Sequence, residues 1–370
     1  MSVGMLNLQE QFKQIRDEVL QEVTDIFDTQ SFILGKRVKA FEEAMAKLSG
    51  MKHGIGVSSG TDALLLSVMA LKPKAGDEII TTPYTFFATV SSIVRAGAKP
   101  VFVDVDEATF NARADLLESV ITDKTRALMP VHLFGQMVDP VAWMAVAKKY
   151  NLRIIEDAAQ AIGAKFGDTM AGGFGDLSCF SFYPTKNLGG AGDGGMVLAN
   201  DDDLAHDVRI NRVHGGKDRY FHDQIGICGR LDELQAAVLL VKLKHLTVWN
   251  DRRRELAEMY NEGLQDTPVI CPIEVPGAWH TYHQYCLRAP RRDALMEHLK
   301  SKSIGNMIYY PVPLHLQKCF EFLGYREGDF PVAERLAKES VALPMSAELT
   351  YGEVTAVCDA VREFYGNSGA

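Results

Sequence analysis

Ser181-Phe182-Tyr183-Pro184-Thr185-Lys186-Asn187-Leu188-Gly189-Gly190-Ala191-Gly192-Asp193-Gly194-Gly195 begins like a strand and runs out into five glycines. Lys186 follows Pro184 by two residues, which puts its backbone in a turn that few other residue types could form. A lysine held that way at the end of a strand is suited to chemistry rather than to solubility.

An amine becomes a nucleophile when desolvation or a neighbouring cation lowers its pKa, and its best-known use is an imine with the aldehyde of pyridoxal phosphate (PLP). Such a site needs three more things: a carboxylate for the ring nitrogen, donors for the phosphate and an aromatic face. Leu152-Arg153-Ile154-Ile155-Glu156-Asp157-Ala158-Ala159-Gln160 reads as a short apolar strand ending in acids and then small residues. Asp157 therefore sits at the carboxyl end of a strand, where α/β sheets bind ligands, and would keep a ring nitrogen protonated. Ile55-Gly56-Val57-Ser58-Ser59-Gly60-Thr61-Asp62-Ala63-Leu64 reads as a strand turning through Gly60 into a helix. The free amide groups and positive dipole end of that helix make a phosphate cradle, to which Ser181 adds a hydroxyl. Pro83-Tyr84-Thr85-Phe86-Phe87-Ala88-Thr89 follows the next strand, and Phe86 is expected to stack on the ring.

The totals narrow the classes. A chain of 370 residues with 47% hydrophobic and 24% charged residues has room for a large core and for one big domain plus a smaller one. The net charge of −9 and pI near 5.6 argue against nucleic acid or an anionic membrane as the main partner. Arg252-Arg253-Arg254 reads as a solvated helix face. The six cysteines are scattered without a Cys-x-x-Cys pair, and no leader or spanning apolar run is evident, so free thiols in a reducing cytoplasm are expected. His283 and Cys286 lack further soft ligands at metal spacing, so no metal is expected.

In chain order, an amphipathic helix spans Leu8 to Phe27 with Phe12, Ile15, Val19, Leu20 and Val23 on one packing stripe. A helix over Val38 to Ser49 follows. Strands are then expected at Ile55 to Ser58, Glu78 to Thr81, Pro100 to Val105, Thr125 to Val131, Arg153 to Glu156, Leu177 to Phe182 and Gly195 to Ala199. Their alternation with helices predicts a mostly parallel α/β sheet covered on both faces. His132, at a strand end, reads as a hydrogen-bonded structural residue. Asp202 to Val213 reads as a helix, His214 to His222 as a polar loop, and Gly229 opens a helical tract reaching to about Leu264. A small α+β unit follows, with strands Tyr282 to Arg288 and Gly305 to Tyr309 and helices Arg291 to Lys302, Glu334 to Ser340 and Tyr351 to Phe364. The expected division is a large domain over 1–250 and a small one over 251–370.

Gly60-Thr61-Asp62-Ala63-Leu64, Thr85-Phe86-Phe87-Ala88-Thr89, Glu156-Asp157-Ala158-Ala159-Gln160 and Ser181-Phe182-Tyr183-Pro184-Thr185-Lys186 together resemble, in order and spacing, the DegT/DnrJ/EryC1 family of PLP-dependent nucleotide-sugar aminotransferases. The resemblance runs from Leu6 to about Tyr365. It implies a fold type I, aspartate-aminotransferase-like architecture, and a homodimer in which the 214–222 loop reaches into the partner's active site. It assigns Lys186 as the catalytic amine, Asp157 to the pyridinium nitrogen and Gln160 to the ring hydroxyl. Gly60, Thr61, Asp62 and Ser181 would take the phosphate, and Phe86 would cover the ring. Glutamate would load the cofactor as pyridoxamine phosphate (PMP), which aminates a keto-sugar while Lys186 carries the proton. Tyr309, Tyr310 and His315 are the implied sugar contacts, and the cationic Lys217, Arg219 and Arg230 would suit the diphosphate or a carboxylate of the substrate.

One departure stands out. Where the family has an asparagine, then Ser or Tyr, then the arginine, this chain has Cys228-Gly229-Arg230, and cysteine is a poor phosphate donor. Gly135-Gln136, Lys217-Asp218-Arg219-Tyr220 and the run from Arg230 to Ala237 look most like enzymes that aminate C3 of UDP-linked 3-keto sugars, including the 3-keto uronic acids of surface polysaccharides such as O-antigen. Amination at C4, dTDP-linked sugars and a non-catalytic cofactor-binding regulator stay open. A family dehydratase would have histidine at the position of Lys186.

Overall fold

The computed structural model describes residues 2–218 and 220–366. Its main sheet has seven strands: β1 (His53–Val57), β2 (Glu78–Thr81), β3 (Lys99–Phe102), β4 (Thr125–Leu128), β5 (Arg153–Asp157), β6 (Leu177–Ser181) and β7 (Gly195–Ala199). They lie in the order β1-β7-β6-β5-β4-β2-β3. Neighbours from β3 through β6 pair in parallel, and β7 runs antiparallel to both β6 and β1. The sequence pattern thus yields an α/β fold with a mixed, mostly parallel sheet.

Strand periodicity explains why helices cover both faces. On β7, Val197 and Ala199 pack into one cluster with Leu64, Leu66 and Val68 of the helix Gly60–Ala70, while Met196 and Leu198 join a second with Val38, Phe41 and Met45 of the helix Lys36–Ser49. Successive residues point to opposite faces, so a strand apolar throughout needs cover on each side. Full burial of such a side chain contributes roughly 1.5–3 kcal/mol.

Several elements differ from the sequence reading. The tract expected from Gly229 to Leu264 is two helices, Glu233–Leu243 and Leu246–Leu264. Gly229 to Asp232 is extended instead, because Ser58 N–H donates to Gly229 C=O and Arg230 bridges Val57 at the open edge of β1. The strand expected at Gly305 to Tyr309 is reduced to one bridge between Met307 and Ala342, and Tyr285–Arg288 pairs instead with Ser340–Leu343. The 214–222 stretch contains two short paired strands, Gly216–Asp218 and Phe221–His222.

The position 250/251 lies inside the helix Leu246–Leu264, whose Leu256 and Tyr260 pack with Tyr285, Leu287, Leu295 and Val361. Val3 belongs to the same cluster. On the first helix, Leu8–Thr29, Ile15 and Val19 are buried against Val238, Val241 and Trp249, but Phe12 and Leu20 each remain 40% exposed. Among the described residues no helix is long and apolar enough to cross a membrane.

Candidate active site

At the carboxyl ends of β5 and β6 the chain leaves the sheet and surrounds a cavity of about 570 Å³. Lys186 enters it from a turn closed by its own N–H donating to Tyr183 C=O at 2.8 Å, with Pro184 preset for the second turn position. None of the five glycines that follow has a positive φ. Their role is space rather than backbone freedom: a Cβ on Gly195 would come 2.3 Å from Ser59 C=O. Burial lowers the Lys186 amine to about 8, with Asp157 opposing the shift. A neutral, nucleophilic fraction is therefore present near neutral pH.

Asp157 ends β5 and is 4% exposed. Thr89 Oγ1 donates to its Oδ2 at 2.7 Å, Thr85 Oγ1 lies 2.9 Å from Thr89 Oγ1, and Ala159 N–H donates to its Oδ1 at 3.2 Å. Burial nevertheless pushes this carboxyl above the usual range, against the Thr89 hydroxyl, the Ala159 N–H, Lys186 and His132. A charged or polar partner in the cavity would meet an incompletely compensated acid.

Opposite, the helix Gly60–Ala70 starts at Ser59, whose Oγ accepts from Asp62 N–H at 3.0 Å. The N–H groups of Gly60 and Thr61 have no protein acceptor among the described residues, as expected of a first turn. A Cβ on Gly60 would lie 2.6 Å from Ser181 Cβ, so only glycine lets β6 and this helix end meet. Gly60, Thr61, Ser181, Phe86, Asp157, Gln160, Tyr309 and Lys186 all line the one cavity. Phe86 is 54% exposed, its ring 6.1 Å from that of Tyr310. Gln160 Oε1 accepts from Phe134 N–H at 2.8 Å and its Nε2 donates to Tyr310 Oη at 3.0 Å.

Other residues picked out in the sequence lie elsewhere. Asp62 and Arg230 line an adjacent recess of about 340 Å³ with Ser58, Asp193, Asp232 and Gln235. Asp62 Oδ2 accepts from Ser58 Oγ, and Arg230 Nη2 donates to Cys228 Sγ at 2.9 Å. The structure separates His315 from the cavity: it is buried, its Nε2 is 3.0 Å from Glu334 Oε1, and its ring packs edge-on against Phe330. The Lys217 side chain and Arg219 lie outside the described residues.

Thr85 and Thr89, which stand in the same motif as Phe86, are the support of Asp157 that residue type alone does not mark. His283, weighed in the sequence only as a metal ligand, lines the cavity. The threonine spacing of four at a helix start was a usable signal, whereas nothing local marks His283.

Arranged this way, the cavity offers an amine, an acid facing it, an anion cradle at a helix end and an aromatic cover. PLP matches each feature: an aldehyde, a basic ring nitrogen, a phosphate and a flat ring. Comparison with known proteins agrees. The DegT/DnrJ/EryC1/StrS aminotransferase family profile matches residues 13–362. A Geobacillus stearothermophilus protein called "Pleiotropic regulatory protein" is 48% identical over 99% of both chains. The UDP-N-acetyl-3-dehydro-alpha-D-glucosamine 3-aminotransferase of Acidithiobacillus ferrooxidans is 42% identical over 98% of this chain and 97% of its own. Among solved structures, S. venezuelae DesV in complex with a ketimine intermediate superposes with a TM-score of 0.96 at 38% identity, covering 98% of each chain. The chain thus belongs to the DegT/DnrJ/EryC1/StrS aminotransferase family, whose fold it shares from end to end.

Proposed function

We propose that this protein is a PLP-dependent aminotransferase that moves an amino group from glutamate to a nucleotide-linked keto-sugar, preferring C3 of a UDP-linked 3-keto hexose or 3-keto uronic acid. Its main support is that the Lys186 amine and the Asp157 carboxylate open on one cavity. The UDP-sugar assignment draws on the 42% identical Acidithiobacillus relative.

When bound, the cofactor supplies an electron sink and carries the amino group between two carbon skeletons. Asp157 keeps the ring-nitrogen proton in place, with Thr89 and the Ala159 N–H fixing its two oxygens. The Gly60 and Thr61 N–H groups and the Ser181 hydroxyl receive the phosphate at the positive end of the helix. Asp62, whose N–H donates to Ser59 Oγ and whose carboxylate accepts from Ser58 Oγ, would steady the turn that presents those donors. Phe86 covers the ring. Gln160 Nε2 gives one hydrogen to Tyr310 and keeps the other for the ring hydroxyl. Lys186 Nζ, its pKa lowered to about 8, would hold the imine with the aldehyde and, once freed, could carry a proton as general base and acid. Tyr309 meets the sugar in the cavity, and Arg230, with Lys217 and Arg219 near it in sequence, meets the diphosphate or a carboxylate.

The protein works as a homodimer, with the active sites at the interface. The exposed Phe12, Leu20, Phe221 and Ile225 favour such a covered surface. Six free cysteines suit a cytoplasmic setting. A second reading, a cofactor-binding regulator without turnover, has the name of the Geobacillus relative in its favour. Incubation with glutamate and a panel of UDP- and dTDP-linked keto-sugars made in situ separates the two. Release of 2-oxoglutarate with amination of a UDP-3-keto sugar is expected. A borohydride-sensitive cofactor band with no turnover of any member would favour the regulator.

A further inference from the structure

His283 is 4% exposed and lines the cavity that holds Lys186. Its Nδ1 lies 3.0 Å from Asn187 Oδ1. Which atom donates is fixed by a chain of groups that can each act in one direction only. The Ile162 carbonyl must accept, and it does so from Asn250 Nδ2 at 3.1 Å, leaving Asn250 Oδ1 to accept from Asn187 Nδ2 at 2.8 Å. Asn187 Nδ2 also donates to Thr281 C=O at 3.2 Å. The Asn187 atom facing His283 is therefore its oxygen, so His283 Nδ1 carries the hydrogen and the neutral ring leaves Nε2 bare.

Nε2 has no partner among the described residues. The segment carrying it is held firmly: Arg253 Nη1 donates to the carbonyls of Tyr282 at 3.1 Å and His283 at 3.4 Å, and Gln284 N–H donates to Phe134 C=O. Burial, with Lys186, Arg253 and His280 nearby, holds the imidazole well below its usual protonation range. The lone pair thus persists at working pH.

The chemistry of its partner follows. Carboxylates and ionised phosphates have no hydrogen to offer a lone pair. An ammonium group would crowd the Lys186 amine and the Arg253 guanidinium. A neutral hydroxyl fits both demands. We propose that Nε2 of His283 is the acceptor for one hydroxyl of the bound sugar and helps determine which sugar is accepted, an inference that rests on the nucleotide-sugar reading above.

The test is calorimetric titration of the PLP-loaded full chain with UDP-glucose and its counterparts deoxygenated at C2, C4 or C6. In the wild type, one deoxy probe is expected to bind about tenfold more weakly than UDP-glucose, the scale of one hydrogen bond. In His283→Phe, UDP-glucose falls to that weaker level while the affinity of the same deoxy probe stays within twofold. Equal weakening of all four probes, or none, overturns the inference. If His283→Phe loses the cofactor band, ring-nitrogen NMR of the wild type, assigned with His283→Gln, decides instead. The bare-nitrogen signal shifts with UDP-glucose and stays with the weak deoxy probe, and no shift with UDP-glucose overturns the proposal. A wild type that binds none of the four sugars sinks the UDP-sugar reading on which this inference rests, whereas binding that does not depend on His283 sinks only this inference.

Discussion

Glu156 and Asp157 are neighbours on β5, yet their carboxylates live in opposite conditions. Glu156 is fully buried, and its oxygens accept from the N–H groups of Gly172 at 2.8 Å, Phe174 at 2.9 Å and Gly175 at 2.7 Å, and from Ser178 Oγ at 2.8 Å. His132 Nε2 adds a fifth contact at 3.0 Å, and because its Nδ1 accepts from Val138 N–H, that Nε2 carries the hydrogen. Among the described residues Asp157 has two protein donors, and it opens on the cavity. A strand turns consecutive side chains to opposite faces, so one acid is consumed in fastening the loop 172–178 while the next stays available. Donor count separates a structural carboxylate from a functional one more sharply than burial does.

The largest expected effect breaks the open acid. Asp157→Asn should lower kcat by about 10³-fold, within the usual range for losing a positioned proton-holding group, as measured in the glutamate half-reaction. It should also make the cofactor-free protein more stable at neutral pH. The folded pKa of Asp157 is raised, so its ionisation opposes folding: its favourable contribution is present below the unfolded carboxylate range and is lost as pH rises through the folded value. Urea unfolding of the cofactor-free variant checks this, and a lower midpoint than wild type would contradict it.

Glu156→Gln should do the reverse. Putting an amide among five donors strands buried hydrogen-bonding groups and costs about 3 kcal/mol in urea unfolding. The rate per folded molecule should fall less than tenfold. A variant that kept its stability but lost its rate would erase the distinction between the two acids.

Thr89→Val sharpens the comparison by taking one of Asp157's two donors. A hydrogen bond to a charged group is worth about 1.5–3 kcal/mol. Its loss raises the Asp157 pKa further, so the acid limb of kcat/KM should move to higher pH with about tenfold weaker cofactor binding. Phe86→Ala is the mildest: loss of one half-exposed aromatic face should weaken cofactor affinity about fivefold, on the scale of an aromatic contact near 1 kcal/mol, with the pH profile unmoved. Fluorescence titration with PLP reads both.

How much of this could be read from sequence follows the same line between local and distant. Lys186, Asp157, Gly60 and Phe86 each stand in a short stretch where a strand, a turn residue and the functional side chain are contiguous, and those stretches were legible. Asp62 sits in the same kind of stretch, and its carboxylate accepts from the Ser58 hydroxyl, a pairing that residue type alone does not show. His315 looked available beside Pro313, yet Glu334, nineteen residues later, claims it. His283 and its amide chain join segments nearly 100 residues apart. The strand Ser340–Leu343 was hidden because it follows the helix Pro331–Glu339 without a break.

Borohydride reduction of the PLP-loaded protein, followed by peptide mass mapping, tests the central claim most directly. The cofactor mass is expected on the peptide carrying Lys186, with Asp157→Asn shifting the protonation behaviour of the band that disappears. Cofactor fixed on another lysine, or on none, would contradict the account.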